Sequence, residues 1–299
     1  MPVNYRRVKC RSILHHFDKN FLPFNWGANP YRGCEHSCPY CFARYTHSYL
    51  GYNSGRDFER IMHVKDNAAR VLNRELSNRR WKREIVNLGS VCDPYQPAEK
   101  KFEITGQMLK VFAKHKNPLY IGTKSNLILR DIDLLSNYAK NAVLRVNLTV
   151  TSLDKEITDV FEPRAPPTKD RLEVIYQLTK AGLTVHVLFM PIFPFITDDD
   201  ESLKDVVEAV TAVGAKQIIP GVMILRKSCR RRFLAVIEKK YPELLPKYFE
   251  LYRQRSYASK KYVNKISKSV KIKIKKHGPR SNQPSSNERQ LKIEEYVTA

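Results

Sequence analysis

Three cysteines, Cys34, Cys38 and Cys41, stand within eight residues of the stretch Asn29–Ala43, NPYRGCEHSCPYCFA. Their spacing is C-x3-C-x2-C, and Tyr40 directly precedes the last. Thiolates are soft ligands for iron and zinc. Three of them hold three corners of a [4Fe–4S] cube, a cluster that ordinarily takes four protein ligands. The fourth iron is then open to a small molecule, and an open position separates catalytic metal sites from closed structural ones. The spacing alone leaves a second arrangement standing, a zinc ion held by the three cysteines with His36 or His47 as a Cys3His set. A disulfide framework does not fit. Six cysteines in 299 residues are sparse, and the basic N-terminus MPVNYRRVKCRSILHHF lacks the apolar run of a secretory signal. No stretch of about 18 apolar residues is present, so no membrane span is expected and the reading is a reducing cytoplasm.

Further residues with chemical potential follow the cysteine loop. Ser90, Cys92 and Asp93 lie in GSVCDPYQPAE (Gly89–Glu99), and Lys124 and Ser125 in IGTKSN (Ile121–Asn126). Thr149 and Thr151 share one face of a strand by its period of two, and can offer hydroxyls to a ribose or amino-acid group. Arg164, in FEPRAPP (Phe161–Pro167), is held stiffly between prolines and carries a fork of donors suited to a carboxylate. Each has a plainer reading. Asp93 precedes Pro94, where Asp favours a turn. Cys92 and Tyr40 can simply pack, Lys124 can be a surface lysine, and Glu162 can be the partner of Arg164. Cys10 is isolated, and His15 and His16 point in different directions on any regular element.

With these motifs in view, NPYRGCEHSCPYCFAR, GSVCDPYQPAE, FEPRAPP and MPIFP (Met190–Pro194) resemble the radical S-adenosylmethionine (radical SAM) superfamily, and within it the spore photoproduct lyase-like branch. The resemblance runs from about Asn25 to Leu225. It implies a [4Fe–4S] cluster on Cys34, Cys38 and Cys41, with the open iron chelated by the amino and carboxylate groups of S-adenosylmethionine. In that family the reduced cluster cleaves the cofactor to a 5′-deoxyadenosyl radical, so an electron donor such as flavodoxin or ferredoxin is implied. By the same resemblance Tyr40 lies near the adenine, Ser90 and Asp93 receive the methionyl amino group, and Lys124 pairs with the carboxylate. Cys92 corresponds to a region from which a cysteine donates hydrogen to a substrate radical. Arg32, Arg44 and the loop backbone would tune the cluster's charge.

Composition narrows the partner. Lys and Arg number 53 against 30 Asp and Glu, giving a net charge of +23 and a pI of about 9.8. Such a surface attracts polyanions and releases counterions on contact, so nucleic acid is the expected partner. A DNA photolesion lyase or a nucleic-acid modification enzyme follows from charge and resemblance together. A radical SAM enzyme acting on a protein or small molecule, and a non-catalytic zinc-dependent nucleic-acid-binding protein, are the alternatives.

These residues need a scaffold. Short apolar segments at Asn25–Tyr31, Glu84–Leu88, Pro118–Gly122, Ala142–Thr151, Leu183–Met190 and Gln217–Leu225 read as strands. Helical segments alternate with them, at Asp57–Arg79, Glu103–Lys116, Asp131–Lys140, Thr168–Lys180, Asp199–Val213 and Ser228–Lys239, and Gly182 is a stop after the fourth. About six β/α units in series imply an α/β fold with a parallel sheet and right-handed crossovers. The resemblance sharpens this to a partial (β/α)6 TIM-like barrel, whose function sits at the C-terminal strand ends. The expected organisation is an N-terminal extension over 1–24, a radical SAM core over 25–252 and a basic, disordered tail over 253–299, where 13 Lys and Arg face 3 Glu.

Overall fold

The computed structural model describes residues 2–17, 23–253 and 255–279 of the chain. Ten strands are present among them: β1 (Asn4–Val8), β2 (Leu14–His16), β3 (Trp26–Ala28), β4 (Tyr31–Arg32), β5 (Ile61–Lys65), β6 (Val86–Leu88), β7 (Leu119–Thr123), β8 (Leu144–Thr149), β9 (Val185–Ile192) and β10 (Gln217–Val222). Seven form one sheet in the order β10-β9-β8-β7-β6-β3-β2. Six of these run parallel, and β2 adds antiparallel to β3. This is the expected partial barrel.

Helices α1 (Tyr45–Ser48), α2 (Ala68–Leu76), α3 (Ala98–Phe102), α4 (Ile104–Lys114), α5 (Ile132–Ala139), α6 (Lys155–Phe161), α7 (Thr168–Lys180), α8 (Asp200–Ala212), α9 (Lys227–Lys240), α10 (Leu245–Tyr252) and α11 (Lys260–His277) follow the strands in turn. Their starts are set locally. Asp154 caps α6 through the amides of Glu156 and Ile157, and Asp199 caps α8 through that of Ser202.

The two faces of the sheet differ. On one face Val86, Leu88, Ile121, Val146, Leu148, Val185 and Val187 are fully buried in the main core against the helices. Strand register puts the alternate residues on the other face. Asn87 pairs with Tyr120 and Tyr120 with Arg145; Asn147 pairs with Gly122 and His186. A parallel sheet covered on both sides reads as unbroken apolar runs, whereas this one alternates. Its inner face therefore carries polar groups at Asn87, Arg145, Asn147, Thr149 and His186, beside the apolar Leu188 and Ile219.

Two expectations are corrected. Asp57–Arg79 is not one helix: β5 occupies its middle, pairing with β1 and β4 in a separate three-stranded sheet. Phe58, Ile61 and Met62 fit helical spacing, but Ile61–Lys65 also alternates, and pairing with distant strands decides it. The disorder expected from Arg253 onward is overturned over Lys260–His277. There α11 buries Ile266 and Val270 and lies along α8 and the edge strand β10. An uncovered edge is a liability, and a helix laid over it removes that liability. Residues 280–299 lie outside the described residues.

Ile266→Ala should loosen α11 by about 2–4 kcal/mol, the usual cost of emptying a buried Ile site. Amide exchange should speed up in α11 and along Gln217–Val222, while β7 and β8 stay protected. Unchanged exchange at β10 would show that the helix does not guard that edge.

Candidate active site at the barrel mouth

The cysteine loop leaves β3 and is held in an irregular shape by side chains that satisfy its backbone. Arg44, fully buried, sits at its centre. Its Nη2 donates to the carbonyls of Cys38 at 3.0 Å and Ser37 at 3.2 Å, and its Nη1 to that of Gly55 at 2.8 Å. Nη2 also lies 2.9 Å from Glu59, whose other oxygen takes Arg232 at 3.0 Å. Gln96 brackets the loop's start, accepting from the Glu35 amide at 2.9 Å and donating to the Gly33 carbonyl at 3.1 Å. Gly33 adopts φ +93°, and a Cβ there would meet the Ile61 carbonyl at 2.7 Å. Only glycine fits such a position. Asn29 ties the loop to β6 by donating to Ser90 Oγ at 2.9 Å and accepting from the Val91 amide at 2.9 Å.

Cys34 and Cys38 are buried, Cys41 is half-buried, and none is in a disulfide. Burial pushes the Cys34 thiol well above its ordinary value, and Asp93, Cys38 and Cys41 add to the push. Cys38 rises to about 12, again mainly by burial, although Lys124 pulls it down. Two thiols that resist ionising, with that of Cys41 adjacent to them, call for a cationic core that replaces their protons. Among the described residues, no three Cys, His, Asp or Glu side chains converge to hold a single ion. A zinc tetrahedron brings its sulfurs to roughly 4 Å from one another, whereas a cube spreads them further. His36 is engaged 3.4 Å from Asp93, and His47 by the Ile61 carbonyl at 2.9 Å. The loop thus fits a three-cysteine cluster better than a Cys3His zinc.

The other candidates surround this loop. Tyr40 donates to Glu162 and packs edge-on against Phe193 with centroids 5.4 Å apart. Lys124 reaches 3.9 Å from Glu162 and 5.7 Å from the Tyr40 ring. Asp93 takes Thr123 Oγ1 at 2.7 Å and the amides of Lys124 at 2.7 Å and Tyr95 at 2.9 Å. With His36, these contacts fill the lone pairs of both oxygens, so Asp93 clips the end of β6 to the end of β7. Ser90, half-exposed, accepts from Asn29 and lies 3.3 Å from His15 Nε2. Thr149 gives its carbonyl to Arg171 at 3.2 Å, and the hydroxyl of Thr151 is buried without a partner. Cys92 packs into the main core with Asn29 Oδ1 3.7 Å away, and burial lifts its thiol to about 12.

Arg164 is exposed and is not the partner of Glu162. That partner is Arg171, 1% exposed, with Nη1 2.5 Å from Glu162. Sequence reasoning missed this pair. The available signal was a charge on the apolar face of α7, beside Leu172 and Ile175. Asn29, Gln96 and His15 left no comparable signal.

A sequence model of the radical SAM superfamily matches residues 28–207. An uncharacterized protein of Mycobacterium tuberculosis, Rv2578c, is 36% identical over 276 residues, covering 92% of this chain and 81% of that one. An uncharacterized protein of Acidianus two-tailed virus, ORF301, is 28% identical over 243 residues, covering 76% and 79%. Among solved structures, spore photoproduct lyase complexed with dinucleoside spore photoproduct aligns at a TM-score of 0.67 and 14% identity, covering 92% of this chain and 80% of that one. At that identity the likeness concerns the fold.

Burial pushes the Glu162 carboxyl up, but Arg171, Lys124 and the Tyr40 hydroxyl outweigh it and hold it below its ordinary value. A lowered folded-state value contributes stability that is complete above the unfolded value and lost as pH falls through the folded one. Glu162→Gln leaves Arg171 uncompensated, so it should cost about 3–5 kcal/mol at pH 7 in urea unfolding. The gap to the native protein should close on acidification; a gap independent of pH would contradict this reading.

Proposed function

The chain belongs to the radical SAM superfamily, and on that premise we propose that it is a radical SAM enzyme acting on nucleic acid, as a lyase-like repair or modification enzyme. The family uses a [4Fe–4S] cluster and S-adenosylmethionine. When bound, they supply a one-electron cleavage of the cofactor that yields a 5′-deoxyadenosyl radical able to take hydrogen from a substrate C–H bond. The observation that carries the reading is the loop of three adjacent thiols, two buried and one half-buried, at the C-terminal mouth of the barrel.

In this proposal the chain's own residues bind and position. Cys34, Cys38 and Cys41 hold the cluster. Lys124, cationic beside Cys38, faces a cofactor carboxylate. Ser90 and Thr151 offer hydroxyls to its polar groups, and Tyr40 presents a ring fixed by Glu162 and Phe193. Deeper in the lumen, Asn147 Oδ1 and His186 Nδ1 are buried without protein partners. Unpaired buried groups of this kind each cost about 1–3 kcal/mol. They favour a polar substrate or water there over an apolar one. Burial, with Arg145 and Lys216 nearby, lowers His186 to about 4, so its imidazole is neutral and can accept a hydrogen bond.

The nucleic-acid part rests on the +23 charge. Spore photoproduct lyase, whose fold this chain shares, has a solved structure complexed with dinucleoside spore photoproduct, which agrees with the same reading. Protein reconstituted anaerobically with iron and sulfide should form 5′-deoxyadenosine on reduction with S-adenosylmethionine, and DNA or RNA should raise the rate. Replacing Cys34, Cys38 and Cys41 with Ala should abolish product. No product from the native chain would remove the enzymatic reading; product indifferent to nucleic acid would remove only the substrate class.

A further inference from the structure

Helix α11 has two faces. One is bolted to the barrel. Ile266 and Val270 are buried, Tyr262 donates to Asp198, Lys273 pairs with Asp200, and His277 lies 2.7 Å from Glu208. The opposite face carries Lys261, Lys265, Lys268 and Lys275, with Lys271 beside them. All are exposed, and none forms a salt bridge among the described residues. The i, i+4, i+7 and i+14 spacing puts the first four in one stripe, about 21 Å long at 1.5 Å per residue.

The stripe leads to the catalytic end of the barrel. Asp198, the anchor of Tyr262, lies in the loop that leaves the C-terminal end of β9. The same loop carries Phe195, 38% exposed and held at φ +65°, a costly conformation for a bulky residue. Its ring lies 5.9 Å from that of Tyr262, and Lys247 sits 5.9 Å over it. Tyr257, 58% exposed, precedes the Ser259 cap of α11. A lysine track that ends in exposed aromatic rings is the arrangement by which proteins hold single strands: cations follow the phosphates and rings stack on bases.

Resting on the nucleic-acid reading above, we propose that the outer face of α11 is the docking surface for the phosphate backbone of a single strand, leading it past Tyr257 and Phe195 to the barrel mouth. The occupant is argued from charge complementarity and from rings placed where unpaired bases arrive. A duplex would present phosphates to the lysines but no base faces to the rings.

The test uses the reconstituted 299-residue chain and fluorescence anisotropy with a labelled oligonucleotide of mixed sequence, single-stranded and as a duplex. One variant carries Lys261→Gln, Lys265→Gln, Lys268→Gln and Lys275→Gln. A control with the same charge loss carries Lys110→Gln, Lys114→Gln, Lys116→Gln and Lys140→Gln. These exposed lysines lie at or just beyond the C-terminal ends of α4 and α5, at the far end of the barrel. Circular dichroism checks that α11 persists. The α11 variant should bind the single strand at least tenfold more weakly, and its salt slope should fall by roughly 3, from four contacts at about 0.7 each. The control should stay within about threefold of the native chain, a bound set by screening over a Debye length. Tyr257→Ala should weaken the single strand and leave the duplex unchanged. Native protein that binds no nucleic acid would overturn the reading on which this rests. Native binding with equal losses in both lysine variants, or none in α11, would overturn the docking surface alone. Tighter binding of the duplex would overturn the single-strand assignment.

Discussion

The guanidinium of Arg44 satisfies the carbonyls of Ser37 and Cys38 inside the cysteine loop and that of Gly55 in the segment after α1, while compensated by Glu59. A loop that must bring three cysteines together cannot also satisfy its own backbone by helix or strand pairing. Its carbonyls would be buried and orphaned, at a cost comparable to a lost hydrogen bond for each. One planar cation with five donors meets several of them at once, which a lysine cannot do. Gln96 and Asn29 perform the same service for the loop's start and for its junction with β6. The loop is therefore shaped before any ligand arrives, so binding need not bear the cost of ordering it.

Around this loop the barrel builds a second buried network. Tyr40 is linked to Glu162, Glu162 to Arg171 and Lys124, and Arg171 to the strand-end carbonyl of Thr149. A buried ion pair is weak evidence of net stabilisation, because desolvation offsets most of the attraction. What it supplies here is placement. The network joins the residue before Cys41 to strand ends β7 and β8 and to α7, so loop and lumen share one register.

Much of this was legible in the sequence for physical reasons. The cysteine spacing carries its chemistry locally. Ala142–Thr151 reads as a strand from its run of apolar and β-branched residues, and β8 occupies its centre. Gly182 ends α7 at φ +80°, as a left-handed stop does. What stayed illegible depended on distant partners. β5 is a strand because β1 and β4 flank it, and α11 is ordered because β10 offers an edge and α8 a groove. Local charge density argued for a solvated tail, yet Ile266 and Val270 find cover that composition cannot disclose. Glu162 was read against Arg164, its near neighbour in sequence, whereas the fold brings Arg171 to it from within α7.

The central claim is that Cys34, Cys38 and Cys41 hold a cluster with one iron left open. The most direct measurement is electron paramagnetic resonance of the reduced, reconstituted protein, with metal analysis, before and after adding S-adenosylmethionine. The account expects about four irons per chain, the number in one cube. It also expects a cluster signal whose g-values shift when the cofactor occupies the open iron. A chain carrying zinc instead of iron, or a cluster spectrum that the cofactor leaves untouched, would contradict it.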